Sequence, residues 1–139
     1  MTARLALMSN GWTVATTDTD ESFDIVARDP VSRAWKTFQV KTIKVRTDRR
    51  GDLVVNGRKG NGEPYTLSET DYFIGVMGSE DGGLPTVYVF ENNEQSEYWA
   101  TETSAERRWV RLPIELDRAT YAVNVGETEL AGPTDYIAA

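Results

Sequence analysis

The 139-residue chain contains no cysteine and no histidine. Without cysteine it can form no disulfide and offer no thiolate, which fits a reducing compartment. Without histidine it lacks the commonest general base, any Ser-His or Cys-His nucleophile pair and most zinc sites. Hydrolytic chemistry would therefore have to rest on carboxylates, amides, lysine, arginine or tyrosine. No apolar run approaches the roughly 18 residues that a membrane-crossing helix needs, and the N-terminus shows no basic-then-apolar signal pattern. The expectation is a soluble, cytoplasmic protein that does not contact a membrane. Internal repeats and low-complexity tracts are also absent.

What is present fits one domain. The composition is 40% hydrophobic with four Trp, enough for a real core and against wholesale disorder. The net charge is −7, which argues against a nonspecific nucleic-acid coat. The charge is unevenly spread, however. Residues 33–59 hold nine cations (Arg33, Lys36, Lys41, Lys44, Arg46, Arg49, Arg50, Arg58, Lys59) against Asp48 and Asp52, a net of +7. The rest of the chain therefore carries −14, and residues 80–139 alone hold twelve acids against four arginines. A basic block in an acidic chain is the footprint of a polyphosphate partner. The alternative is a set of solvated hairpin charges.

Two segments alternate as β-strands do, and turn formers at Asp29-Pro30 separate them: Phe23-Asp24-Ile25-Val26-Ala27 and Thr37-Phe38-Gln39-Val40-Lys41-Thr42-Ile43. Alternation puts Gln39 and Lys41 on one face and Phe38 and Val40 on the other. If the segments pair, Asp24 can sit beside Gln39 and Lys41. A carboxylate and an amide oxygen are hard ligands suited to Mg²⁺, which keeps several waters. A neighbouring lysine can hold an attacking water and offset developing negative charge. The alternative is a structural Asp24–Lys41 ion pair, since a buried, unpaired carboxylate is costly.

Asp24 on one strand and Gln39-Val40-Lys41 on the next resemble the PD-(D/E)XK nuclease superfamily, in the Gln-x-Lys form found in some small homing and phage-type endonucleases. The resemblance covers roughly residues 11 to 90 and includes the order of elements. It extends to Tyr65-Thr66-Leu67-Ser68-Glu69-Thr70-Asp71-Tyr72-Phe73, where Asp71 marks the start of a strand in a structural role. It implies a restriction-endonuclease-like α/β fold, a central mixed β-sheet flanked by helices. It also implies a Mg²⁺- or Mn²⁺-dependent endonuclease that hydrolyses DNA phosphodiesters, of homing type or acting on branched DNA as Holliday junction resolvases do. The source would be a bacterium, an archaeon or a phage. Asp24, Gln39 and the Val40 carbonyl would bind metal, and Lys41 would orient the attacking water. Lys44, Arg46, Arg49, Arg50, Arg58 and Lys59 would contact DNA. Cutting both strands implies a homodimer or higher oligomer. Two features depart from the family pattern: the first helix holds no acid, and Phe23, not Pro, precedes Asp24. Asp18, Asp20 and Glu21 are candidate substitutes for the helix acid. The departures leave open a catalytically degenerate nuclease-fold domain that binds nucleic acid or a protein partner. An acidic DNA mimic is a weaker third reading.

The remaining expectations follow the chain. Thr2 to Ser9 reads as a short helix stopped at Asn10-Gly11, and Trp12–Thr16 as a strand. One long strand runs from Trp35 to Arg46, with Leu53–Val55 pairing back on its end. The loop Asn56–Gly62 is glycine-rich and basic, matches no phosphate-binding fingerprint, and reads as a mobile loop in a nucleic-acid groove. Thr66–Asp71 reads as a helical turn capped by Ser68. Tyr72–Met77 and Thr86–Phe90 are core strands. Ser104–Trp109 is helical and Trp109–Pro113 a last strand. Trp12 and Trp35 are core or interface residues. Residues 1–113 form the nuclease-like core, and 114–139 form an extension packing on it or on a partner subunit.

Overall fold

The computed structural model describes residues 1–114 of the chain, so nearly all of the expected extension, residues 115–139, lies outside the described residues. The first element is helix α1 (Thr2–Ser9). Eight residues are too few to be stable alone in water. Packing holds α1 in place: Ala3, Ala6 and Leu7, spaced three and four apart, form its buried face, and the two alanines let the helix lie close to a sheet. Asn10 and Gly11 end it as the sequence predicts. Their N–H groups donate to Leu7 and Met8 carbonyls, and Gly11 takes φ +88°, a left-handed turn that a residue with a Cβ resists.

The sheet beneath α1 has six strands: β1 (Thr13–Ala15), β2 (Ile25–Arg28), β3 (Trp35–Thr42), β6 (Tyr72–Met77), β7 (Thr86–Glu91) and β9 (Val110–Arg111), in that spatial order. It is mixed, as expected. Only β3 and β6 run parallel, with Gln39 opposite Phe73 and Lys41 opposite Gly75, and every other pair is antiparallel. A second sheet of three strands, β4 (Lys44–Arg46), β5 (Asp52–Asn56) and β8 (Glu97–Ala100), is antiparallel throughout. A short 3₁₀ turn (Thr47–Arg49) follows β4, and helix α2 (Ala105–Arg108) precedes β9.

The large sheet is apolar on both faces, and strict alternation shows it. On β7, Val87 and Val89 face α1, whereas Tyr88 and Phe90 face the small sheet. The α1 side packs Leu7, Ile25, Phe38 and Ile74. The other side packs Leu53, Val55, Phe73, Phe90, Tyr98 and Trp109, with ring pairs such as Phe90–Trp109 stacked at 4.9 Å.

Three differences from the sequence reading matter for the site. The expected flanking helices are sparse among the described residues, because a β-sheet rather than helices covers the second face of the large sheet. The long strand from Trp35 to Arg46 is two strands, broken at Ile43, whose side chain turns into the core between the sheets while the chain passes from one sheet to the other. The turn at Thr66–Asp71 is a single turn, with the Glu69 and Thr70 N–H groups both donating to the Thr66 carbonyl at 2.9 and 3.2 Å, but Glu69 rather than Ser68 caps it: its carboxylate accepts from the Thr66 N–H at 2.9 Å.

Candidate active site

Asp24 stands one residue before β2. Its N–H donates to the Phe38 carbonyl at 2.9 Å, although the register partner of Phe38 is Ile25. Two residues thus face one, the arrangement of a β-bulge, which re-aims a side chain. The Asp24 carboxylate takes the next rung of the ladder: the Val40 N–H donates to Asp24 Oδ2 at 2.9 Å. In an antiparallel ladder a residue presents N–H and C=O to the same neighbour, so the Val40 carbonyl faces the edge where β2 has ended and Asp24 stands. Asp24 is exposed, and its Oδ1 has no protein partner among the described residues. With Thr2, Arg4, Ile25, Val40 and Val76 it lines a cleft of about 380 Å³ at the start of α1.

Lys41 lies on the other face of β3. Its Nζ donates to the Arg58 carbonyl at 2.9 Å and sits 5.2 Å from the centroid of the Tyr65 ring. Burial pushes its pKa down, and the Asp24 charge draws it part of the way back. Among the described residues Asp24 makes no ion pair. The two charges feel each other, but a carbonyl and a ring hold the lysine. Burial also raises the Tyr65 pKa, with the Asp24 and Glu69 carboxylates adding to the shift and Lys59 opposing it. The phenol therefore stays neutral at any physiological pH. Gln39 shares the Lys41 face and is half-buried, and its side-chain amide has no hydrogen-bond partner among the described residues.

The structure thus brings Asp24 and Val40 into contact and sets Lys41 within electrostatic reach. Gln39 sits on the adjoining rung without touching Asp24. Asp18, Asp20 and Glu21 occupy an exposed turn, where Glu21 accepts from the Thr19 hydroxyl at 2.6 Å. Among the described residues no three acidic, histidine or cysteine side chains are grouped closely enough to hold a metal. A divalent ion here would have to rely on one carboxylate, amide or peptide oxygens, and water. That donor set fits Mg²⁺, which dehydrates reluctantly and binds through one or two carboxylates.

The six basic candidates divide in two. Arg46 forms a two-point ion pair with Asp48 (2.9 and 2.6 Å), Arg49 reaches Glu97 at 2.9 Å, and Lys59 meets Glu69 at 3.0 Å. Lys44, Arg50 and Arg58 have no acidic partner among the described residues. Lys44, Arg46 and Arg58 line one cleft of the small sheet, and Arg49 and Arg50 line the next. The loop Asn56–Gly62 is part of a small hairpin, closed by a bridge between Arg58 and Pro64. Asp71 is structural, as the sequence implied: its Oδ2 accepts from the Thr37 N–H and hydroxyl at 2.8 and 3.0 Å.

Sequence reasoning missed Tyr65, Glu69 and the Arg58 carbonyl as neighbours of the site. Tyr65 and Glu69 were visible only as markers of the strand that follows. No periodicity reveals that a loop seventeen residues downstream closes over Lys41.

The fold is similar to that of a bacterial homing endonuclease, I-Ssp6803I, with a TM-score of 0.56 and 23% sequence identity over 73% of this chain and 72% of that one. No protein-family model and no curated protein matches the chain. At this identity the likeness shows a shared fold alone.

Proposed function

We propose that the protein is a metal-dependent DNA endonuclease. The observation that carries this reading is the Asp24 carboxylate anchored on the Val40 N–H at the open edge of β3, with the Lys41 ammonium next along the strand, in a fold similar to a homing endonuclease. Asp24, the Val40 carbonyl and the Gln39 side-chain oxygen would hold a Mg²⁺ or Mn²⁺ ion. That ion would polarise the scissile phosphate and make a bound water more acidic. Lys41 orients the attacking water and offsets charge as it grows on the phosphoryl oxygens. Hydrolysis forms a bond from the water oxygen to phosphorus and breaks one P–O bond to a sugar. Lys44, Arg46, Arg49, Arg50, Arg58 and Lys59 hold backbone phosphates. Double-strand cleavage needs two such sites, hence a homodimer or higher oligomer.

The test incubates plasmid, linear duplex and four-way-junction DNA with Mg²⁺ or Mn²⁺. Wild type should cleave, and Asp24→Ala and Lys41→Ala should each lose at least about a hundredfold. Equal cleavage by all three overturns the site. Preference for the junction would place the protein with resolvases rather than homing enzymes.

A second reading, a degenerate nuclease-fold domain that binds nucleic acid or protein, is favoured by the single carboxylate at the site. Calorimetric titration with Mn²⁺ separates the two: the endonuclease binds the ion through a site lost in Asp24→Ala, and the degenerate domain does not.

A further inference from the structure

The proposed water-orienting lysine is held from below by a ring that the core holds in turn. Tyr65 is buried and packs edge-on against Phe73, 5.7 Å between centroids at 79°. Its carbonyl accepts from the Asn92 side-chain amide at 3.2 Å, and its N–H donates to the Gly57 carbonyl at 3.4 Å. Gly57 lies tight on β8: a Cβ there would meet the Gln95 carbonyl at 2.4 Å and the Tyr98 ring at 2.8 Å. From that anchor the hairpin folds back through the Arg58–Pro64 bridge and the Lys59 N–H to Glu63 carbonyl bond at 2.8 Å, and the Lys59–Glu69 pair pins its outer side. The Arg58 carbonyl is thereby presented to Lys41 Nζ.

We propose that Tyr65, with the Arg58 carbonyl, is the positioning element for Lys41 in DNA cleavage, its ring face fixing the ammonium by a cation–π contact; this rests on the endonuclease reading. Lysine is a point charge on a flexible four-carbon stem, and an unheld stem would spread the charge over several rotamers. A ring on one side and a carbonyl on the other select one position, and orientation of that kind acts on the chemical step rather than on binding. The contact needs the ring face and not the hydroxyl. The Arg58 side chain is exposed, so the residue that offers its carbonyl to Lys41 also offers a guanidinium to DNA.

The experiment compares wild type, Tyr65→Phe and Tyr65→Leu, each produced with ¹³C-labelled lysine, of which the chain has only four. In wild type and Tyr65→Phe the Lys41 ε-methylene signal should be displaced by the ring current and show cross-relaxation with the ring protons. Tyr65→Leu should lose both. Cleavage by Tyr65→Phe should stay within about twofold of wild type, while Tyr65→Leu should lose about tenfold in kcat with DNA affinity unchanged. The proposal is overturned if Tyr65→Phe is as slow as Tyr65→Leu, or if Tyr65→Leu loses affinity and not kcat. Should Tyr65→Leu not fold, an undisplaced Lys41 signal in wild type overturns it alone. Absence of cleavage by any form overturns the endonuclease reading itself, a different result from a missing ring-current shift in an active protein.

Discussion

At the scale of single residues, Lys41 stands at odds with stability. Burial lowers its pKa below the ordinary lysine value of 10.5 more strongly than Asp24 raises it. The charged form is thus less comfortable in the folded protein than in the unfolded chain. The consequence has a definite sign. Below the folded pKa the ammonium is charged in both states and the full penalty acts. As the pH rises through the folded pKa toward 10.5, the unfolded chain binds more protons than the folded one and wild-type stability recovers. Lys41→Met keeps the apolar stem without the charge. It is expected to melt above wild type at neutral pH, with the advantage shrinking as the pH approaches 10.5, while cleavage is lost. Thermal melts of both proteins across that range check this; a Met variant that melts lower at neutral pH refutes it. Asp24 carries no comparable tension. It is exposed, and its carboxylate takes a backbone N–H that the end of β2 leaves without a strand partner. Its identity was legible because a carboxylate at the head of an apolar strand, one short turn from Gln-x-Lys, is a rare combination. Its direction was not, because the bulge that turns it toward Val40 leaves no mark in the alternation of polar and apolar residues.

At the scale of elements, the step from β3 to β4 sets the site apart from the basic strand that follows. Ile43 lies between them and turns into the core, and Gly75, opposite Lys41 on β6, makes room for it. A Cβ on Gly75 would come within 2.8 Å of Ile43 Cγ1 and 2.9 Å of Cδ1. Gly75→Ala should therefore cost about 1–3 kcal/mol, the usual range for overpacking a filled core, and Ile43→Val should return part of it in the double variant. Denaturant melts of the two singles and the double form the cycle, and strict additivity would show that the residues do not meet. The sequence reveals these elements unevenly. Tyr72–Met77 and Thr86–Phe90 are legible because runs of six and five residues between turn formers are too short for a typical helix and are rich in β-branched and aromatic side chains. The change of sheet at Ile43 is marked only by the adjacent polar pair Lys41-Thr42, across which the apolar positions shift phase from Phe38 and Val40 to Ile43 and Val45; periodicity records faces, not which sheet a face belongs to. Strand β8 went unread for another reason. It has only Tyr98 and Ala100 to point inward, and Trp99, on its outer face, lies under the Arg108 guanidinium at 4.5 Å.

At the scale of the whole molecule, a chain with net charge −7 has to approach a polyanion through a minority of its surface. The cations clustered in residues 33–59 are not equivalent for that purpose. Arg46, Arg49 and Lys59 already neutralise Asp48, Glu97 and Glu69, so a phosphate must displace an acid to reach them. Lys44, Arg50 and Arg58 meet no such competition among the described residues. Each phosphate contact made by an uncommitted cation releases a counterion and steepens the fall of log K with log salt by close to one unit. Arg58→Ala is therefore expected to weaken DNA binding and to flatten that slope by about one. Arg49→Ala should flatten the slope less, because it removes a cation already occupied by Glu97. Glu97→Gln should do the opposite of both: it frees Arg49, and so should tighten binding at low salt and steepen the slope. Binding isotherms for the three variants and wild type at several salt concentrations, on an uncleaved duplex with Ca²⁺ in place of Mg²⁺, measure all of this. Four parallel lines would mean that DNA does not lie on the small sheet. Flattening by Arg58→Ala with steepening by Glu97→Gln would place the duplex across β4, β5 and β8, on the side of the molecule from which the hairpin reaches Lys41.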